Sequence, residues 1–124
     1  MRCARRAGFT LLEVMIIVAI IGLLAALAMP SFIKVRKQSQ AKRIVNDART
    51  IDAAIDAWAV EKNKPDGSTI DLTEVATYSK SGNVPTTDSL GNPFQIGTVG
   101  TNQVRISDTT KAALTGISVD WGAY

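Results

Sequence analysis

The chain has no histidine, and its single cysteine, Cys3, lies near the amino terminus. Histidine is the usual general base and a common metal ligand, while a cysteine thiolate is a frequent nucleophile. Ser31 and Lys34 place a hydroxyl and an amine one helical turn apart, in a segment that is expected to be a solvated helix. The sequence contains neither a glycine-rich phosphate loop nor a Cys/His metal cluster. We therefore expect a chain without catalytic residues, a metal site or a cofactor, and not an enzyme.

Charge is absent from one long stretch near the amino terminus. Between Phe9 and Met29, a span of about 21 residues, the only charged side chain is Glu13. As an α-helix this span is about 31 Å long, close to the thickness of a bilayer's hydrocarbon core. A carboxylate there costs about 3 kcal/mol by insertion scales, so it is expected to have a partner. That partner must come from another chain or from a new amino terminus beside it.

Three arginines precede this apolar run, which leaves two other interpretations open. One is a secretory signal peptide that is cut after residues 26–28, although such apolar regions are usually about 7–15 residues long. The other is a plain single-span anchor in which Glu13 is accidental. In each case the positive-inside bias predicts that the leader stays in the cytoplasm and that residues after 30 face outward. The three arginines are Arg2, Arg5 and Arg6.

The segment Gly8-Phe9-Thr10-Leu11-Leu12-Glu13-Val14 after this basic leader resembles the processing site of type IV pilin and type II secretion pseudopilin precursors. The resemblance implies that a membrane-embedded prepilin peptidase cuts between Gly8 and Phe9 and methylates the new Phe9 amine. It also implies that Glu13 pairs with the Phe9 amine of a neighbouring subunit in a filament. Expected partners are further copies of the chain, other pilin-like subunits, the peptidase, an inner-membrane assembly platform and membrane lipid.

The basic character of the precursor comes from its leader. Removal of residues 1–8 leaves 11 basic and 11 acidic residues, which argues against nucleic acid as a partner. It also removes Cys3, so the mature chain forms no internal disulfide. Many type IV pilins close a carboxy-terminal loop with a disulfide, and this departure favours the short pseudopilins. Residues 34–49 remain strongly basic, which suits a solvated helix face, contacts between subunits or anionic lipid headgroups.

Helical character is expected to continue beyond the membrane. Pro30 lacks an amide hydrogen, and Gly22 is a second weak point, so we expect the helix to kink there. Alternatively, Pro30 begins a separate helix at its first turn. The predicted organisation is a leader (1–8), a transmembrane assembly helix (9–30), an amphipathic helix (31–63) and a small α+β globular region (64–124). Within the amphipathic helix, apolar residues recur every three or four positions and predict a buried stripe: Ala41, Ile44, Ala48, Ile51, Ile55 and Trp58.

The globular region contains signals for short elements. Asp71-Leu72-Thr73-Glu74 predicts a capping box that opens a short helix through Tyr78. Residues 94–99 and 103–107 predict a β-hairpin, and the alternation in residues 116–121 predicts a final strand. The fold class is therefore α+β, with a small antiparallel sheet packed on the carboxy-terminal half of one long, kinked helix, as in a pilin-like lollipop.

Asp88-Ser-Leu-Gly-Asn-Pro-Phe94 is similar to a segment of the major pseudopilin of type II secretion, a family in which nearby loops bind calcium. Calcium takes about six oxygens or more, and the acidic glycine-rich loop of that family is missing here. A structural turn is therefore the favoured interpretation, with calcium binding as the alternative. The expected function is that of a pseudopilus subunit that helps drive protein export. The alternatives are a type IV pilin used in adhesion, twitching or DNA uptake, and an anchored ligand-binding or sensory module.

Overall fold

A computed structural model describes residues 8–124, so the leader arginines and Cys3 lie outside the described residues. The described part contains three α-helices, one 3-10 turn and a two-stranded antiparallel sheet. The described residues divide into two units, 8–35 and Arg36–Tyr124. In chain order the elements are helix α1 (Leu11–Glu61), helix α2 (Leu72–Val75), the 3-10 turn (Ala76–Tyr78), strands β1 (Gln95–Thr98) and β2 (Thr101–Arg105), and helix α3 (Asp108–Ala113).

Helix α1 runs through Pro30 without a break in its assignment. This continuity excludes the alternative in which Pro30 begins a separate helix. The proline ring still removes one main-chain donor from the helix interior. The kink at Gly22 and Pro30 remains a prediction, and so do the domain boundaries that divide α1 near Pro30.

The predicted buried stripe of α1 is confirmed. All six of its side chains are buried, and Trp58 is only 1% exposed. Arg43, Arg49 and Asp56 are exposed, as expected for the opposite face. The buried face is wider than predicted, because three further α1 residues join it: Val45, Ala54 and Ala59. Together with apolar residues of the globular region they form one core, which includes Val75, Val84, Phe94, Val99, Val104, Ile106 and Leu114.

Trp58 also makes a polar contact at the edge of this core. Its indole Nε1 donates a hydrogen bond to Glu74 Oε2 at 2.8 Å, and Lys64 Nζ lies 5.3 Å from the ring centroid. Asp71 caps α2 by accepting from the Thr73 amide at 2.9 Å. The predicted helix start is thus confirmed, whereas the side chain of Glu74 is bonded to Trp58 and does not complete the capping box.

The predicted hairpin is confirmed, with shorter and shifted strands. Strands β1 and β2 pair with Ile96 opposite Val104, and their two-residue connection is Val99–Gly100 instead of residues 100–102. Gly100 has φ +79°, a conformation that favours glycine. A bulge lies at Gly97, where an added Cβ would stand 2.2 Å from the Asn102 carbonyl oxygen, so a larger residue would force the strands apart.

The predicted final strand at residues 116–121 is wrong. Ile117, Val119 and Trp121 are half-buried and pack on the core, but the segment has no strand assignment. An alternating pattern indicates which side chains face inward, but it does not indicate whether a neighbouring strand is present to pair with. Helix α3 was not predicted. Its start is marked by Ser107, a typical helix-start residue, whose side chain accepts from the Thr109 amide at 3.3 Å.

Candidate processing and assembly site

The first turn of α1 is organised by Thr10. Its Oγ1 accepts a hydrogen bond from the Glu13 amide at 3.2 Å, and its carbonyl accepts from the Val14 amide at 3.3 Å. The first bond satisfies an amide that otherwise lacks a partner at a helix start, and the second is the first regular main-chain bond of the helix. Thr10 and Glu13 have the spacing of a capping box, a signal that the sequence analysis overlooked in this segment. Thr10 therefore caps the helix, which begins at Leu11.

Glu13 lies in the first turn of α1 and is exposed. The helix dipole favours a negative side chain at this end. Among residues 8–124 its carboxylate has no hydrogen-bond or ion-pair partner. A group of this kind, next to a long apolar surface, is available to a cation from outside the described part of the chain.

Gly8 and Phe9 precede the helix. Phe9 is 80% exposed, and a Cβ added at Gly8 would meet no heavy atom within 4 Å. The described structure therefore gives no steric reason for glycine at position 8. Gly22, inside α1, has equally open surroundings, although a glycine there costs about 1 kcal/mol relative to alanine. Any need for these two glycines must arise from what binds the helix, which leaves the predicted cleavage and kink as predictions.

The apolar part of α1 buries none of its side chains. Every residue from 8 to 36 is exposed, and the large apolar side chains among them are 46% to 80% exposed. By length and composition this stretch of α1 is able to cross a membrane. Apolar side chains that the chain itself does not cover need hydrocarbon or other helices around them. The arrangement therefore supplies a membrane anchor and a surface for contact with neighbouring helices.

The Asp88–Phe94 segment forms a tight turn whose carboxylate is fully engaged. Asp88 Oδ1 accepts from the amides of Leu90 at 2.8 Å and Asn92 at 3.0 Å. Asp88 Oδ2 accepts from the hydroxyl of Thr110, which is completely buried and in turn accepts from Asn92 Nδ2 at 2.9 Å. Both Asp88 oxygens thus have protein donors. The contribution of α3 could not be predicted from local sequence patterns, because Thr110 is distant along the chain.

Tyr124 makes a polar contact with Asp52 of α1. The Tyr124 hydroxyl donates to Asp52 Oδ2 at 3.3 Å. Partial burial and the neighbouring Asp56 carboxylate raise the pKa of Asp52 above its usual value, and the Tyr124 hydrogen bond offsets part of this rise. Partial burial and the Asp52 charge likewise raise the pKa of the Tyr124 phenol. Asp52 is therefore easier to protonate in the folded chain than in the unfolded one.

Comparison with known proteins agrees with the motif at the start of α1. Residues 3–29 match the family model described as "Prokaryotic N-terminal methylation motif". The type II secretion system core protein G of Aeromonas hydrophila is 33% identical over 64 residues, which is 52% of this chain and 45% of that protein. No solved structure matches significantly.

Pilins give similar matches. The type IV major fimbrial protein FimA of Dichelobacter nodosus is 37% identical over 75 residues, covering 60% of this chain and 47% of that protein. The type IV major pilin protein PilA of Myxococcus xanthus is 42% identical over 60 residues, covering 48% and 27%. These matches span less than half of the relatives' own length. With the motif, they show that the first part of the chain is similar to pilins and to a type II secretion core protein.

Proposed function

We propose that this chain is a structural subunit of a type II secretion pseudopilus, anchored in the inner membrane, that polymerises through the first part of α1 and helps drive protein export. The observation that carries the proposal is the uncovered apolar surface of residues 9–35, interrupted near its start by the carboxylate of Glu13. Neighbouring helices cover such a surface in a filament. The similarity to core protein G supports the secretion role.

Assembly in this proposal depends on charge pairing in hydrocarbon. A prepilin peptidase cuts between Gly8 and Phe9 and methylates the amine, which remains positive. When a subunit joins the filament, its Phe9 amine neutralises Glu13 of a neighbour. An unpaired carboxylate in a low-dielectric environment is costly, so misaligned neighbours are penalised and the register between subunits is set. The chain's task is structural rather than catalytic, in keeping with relatives that are named fimbrial and core proteins.

Orientation follows from the leader. Arg2, Arg5 and Arg6 keep the amino terminus in the cytoplasm, and the unit Arg36–Tyr124 faces the periplasm. The first experiment is the mass of the mature subunit from membranes that contain the peptidase. We expect a chain that begins at Phe9 and carries one methyl group, and Gly8→Leu leaves uncut precursor. A mature chain that begins at Met29 would instead show the action of ordinary signal peptidase.

A type IV pilin is the second candidate, and the 37% to 42% identity to FimA and PilA favours it. Deleting the gene separates the two functions. Loss of protein export with surface filaments unchanged supports the pseudopilus, whereas loss of surface filaments with export unchanged supports the pilus. If neither changes, the chain is not a filament subunit, and an anchored ligand-binding or sensory module becomes the better interpretation.

We also propose that the Asp88 turn is structural and works without calcium. Its carboxylate oxygens already accept from three protein donors, namely the Leu90 and Asn92 amides and the Thr110 hydroxyl. A calcium ion would have to displace these bonds to gain oxygen ligands. Chelation with EDTA is expected to leave the thermal midpoint unchanged. A midpoint that falls on chelation and returns with added calcium would contradict this assignment.

A further inference from the structure

The stretch that follows the apolar part of α1 is basic and free of carboxylates. After Glu13 the next acidic residue is Asp47, and five cations lie between them. We call residues 34–43 the basic segment; its cations are Lys34, Arg36, Lys37, Lys42 and Arg43. No charge of the opposite sign within this segment offsets them, so their field extends outward into whatever surrounds the helix.

These cations are not used inside the chain. Lys37 is half-buried and the other four are exposed. Within residues 8–124, none of the five donates a hydrogen bond to a side chain or forms an ion pair with a carboxylate. Packing of the core does not require them either. Three of the cations precede the buried stripe, which begins at Ala41, and the other two, Lys42 and Arg43, are exposed. Their charge is available to a partner of opposite sign.

The chain itself holds part of the basic segment at the membrane surface. Lys34 follows Met29 by five residues and Lys37 by eight. Eight residues span about 12 Å as a helix and at most about 28 Å fully extended. The headgroup layer is about 5–8 Å thick on each side of the hydrocarbon core. Because these residues belong to the continuous helix α1, Lys34 lies about 8 Å and Lys37 about 12 Å beyond Met29 along it, in or just beyond the headgroups of the leaflet through which α1 leaves the membrane.

A second copy of the chain is the alternative partner, and most carboxylates of its globular region are already held by hydrogen bonds within that copy. Nine acidic residues follow residue 50, and six of them already accept hydrogen bonds from their own chain. Membrane orientation does not explain the basic segment either, because cations on the outward side oppose the orientation that the leader arginines favour. The six engaged residues are Asp52, Asp56, Asp71, Glu74, Asp88 and Asp120.

We propose that the basic segment binds the anionic phospholipid headgroups of the leaflet from which α1 emerges, with Lys34, Arg36 and Lys37 as the main contacts. Each cation near an anionic surface contributes attraction that decays within a Debye length. Binding holds the emerging helix at the membrane surface before assembly. The electrostatic attraction between the cations and the headgroups must then be overcome when the subunit leaves the membrane. The proposal rests on the proposed membrane anchoring, and it does not depend on Glu13 or on filament formation.

The test uses the full chain reconstituted into phosphatidylcholine vesicles that contain about one third phosphatidylglycerol, a composition in which anionic lipid is present but not saturating. Spin-labelled forms of the two lipids report their relative association with the protein. The variant Lys34→Gln/Arg36→Gln/Lys37→Gln removes three cations at the membrane exit. The control Lys62→Gln/Lys80→Gln/Arg105→Gln removes three exposed cations of the globular unit. The leader arginines are present in every sample and contribute the same background.

In the triple variant at the membrane exit, the preference for phosphatidylglycerol over phosphatidylcholine is expected to fall about fivefold, which corresponds to about 1 kcal/mol. The control is expected to keep that preference. An unchanged preference in the exit variant, or an equal loss in the control, would overturn the proposal. If the exit variant keeps the preference but loses cross-links between copies, the partner is a second copy and the proposal is wrong. Failure of the wild-type chain to insert would contradict the membrane anchoring itself, which alkaline extraction detects separately.

Discussion

Two stretches of the same helix differ completely in what surrounds their apolar side chains. In residues 11–35 of α1, large apolar side chains are exposed throughout, whereas from Ala41 to Ala59 nine residues are buried beneath the globular region. The second stretch shows periodic apolar positions because its partner covers one face. The first is apolar all round, which is typical of a helix that is covered on every side. Secondary structure alone does not distinguish them; the difference is whether the covering partner belongs to the same chain.

The largest loss of stability is expected at the most completely buried part of α1. Trp58→Ala in a soluble fragment of residues 31–124 is expected to cost about 3–5 kcal/mol, because it empties a fully buried site and leaves Glu74 without its donor. Chemical denaturation measures this loss. Val60→Ala, at a position that is 78% exposed, is the matched control and is expected to change stability by less than about 0.5 kcal/mol. Equal losses in the two variants would mean that the stripe is not the core.

An intermediate effect is expected at the Asp88 turn. Thr110→Val preserves shape but removes the hydroxyl that bonds Asp88 and Asn92, so both groups lose a partner at a buried site. The expected cost is about 1–3 kcal/mol. Thr109→Val, exposed on the same helix, is expected to be nearly neutral and controls for helix propensity. If Thr110→Val is equally neutral, the turn is held by its main-chain bonds alone.

The smallest expected effect is the pH dependence of stability that Asp52 causes. Because the folded-state pKa of Asp52 is raised, its contribution to stability is present below the usual value of 3.8 and is lost as pH rises through the folded value. Asp52→Asn is neutral at every pH. The free energy of unfolding of this variant, relative to that of the wild type, is therefore expected to rise by about 0.5 kcal/mol between about pH 3 and about pH 7.

Thermal midpoints at the two pH values measure this difference. Asp47→Asn, which removes the same charge from the same helix, is the control: an equal gain in this variant would mean that the effect is not specific to Asp52. A loss of relative stability for Asp52→Asn towards neutral pH would contradict the assigned direction of the pKa.

Local patterns in the sequence were sufficient for the parts of the fold that depend on neighbouring residues. The stripe of α1, the start of α2 at Asp71 and the hairpin around Gly100 were all predicted, because periodicity, capping and turn chemistry act over a few residues. Contacts between distant residues were not predictable in this way. The bonds from Trp58 to Glu74 and from Thr110 to Asp88 join segments whose meeting depends on the whole fold.

The dependence on distant residues also explains why the strand predicted at residues 116–121 was wrong. It explains as well what the structure adds to the candidate site. Residues 116–121 alternate as a strand would, yet a strand also needs a paired backbone, which the alternation does not supply. At the site, the sequence alone named Gly8, Phe9 and Glu13, whereas the helix start at Thr10 became evident from its hydrogen bond to the Glu13 amide. In the proposed function the partner of Glu13 belongs to another chain, so a filament experiment is needed to test it.

The most direct test of the central claim is a count of filaments, or of cross-linked oligomers, from cells that make Glu13→Ala with all other components intact. Glu61→Ala, an exposed carboxylate at the other end of α1, is the matched control. We expect Glu13→Ala to insert and to be cut normally but to form no filaments, Glu13→Asp to form some, and Glu61→Ala to form a normal number. Normal filaments from Glu13→Ala would contradict the pairing of Glu13 with the Phe9 amine and leave apolar helix packing as the assembly force.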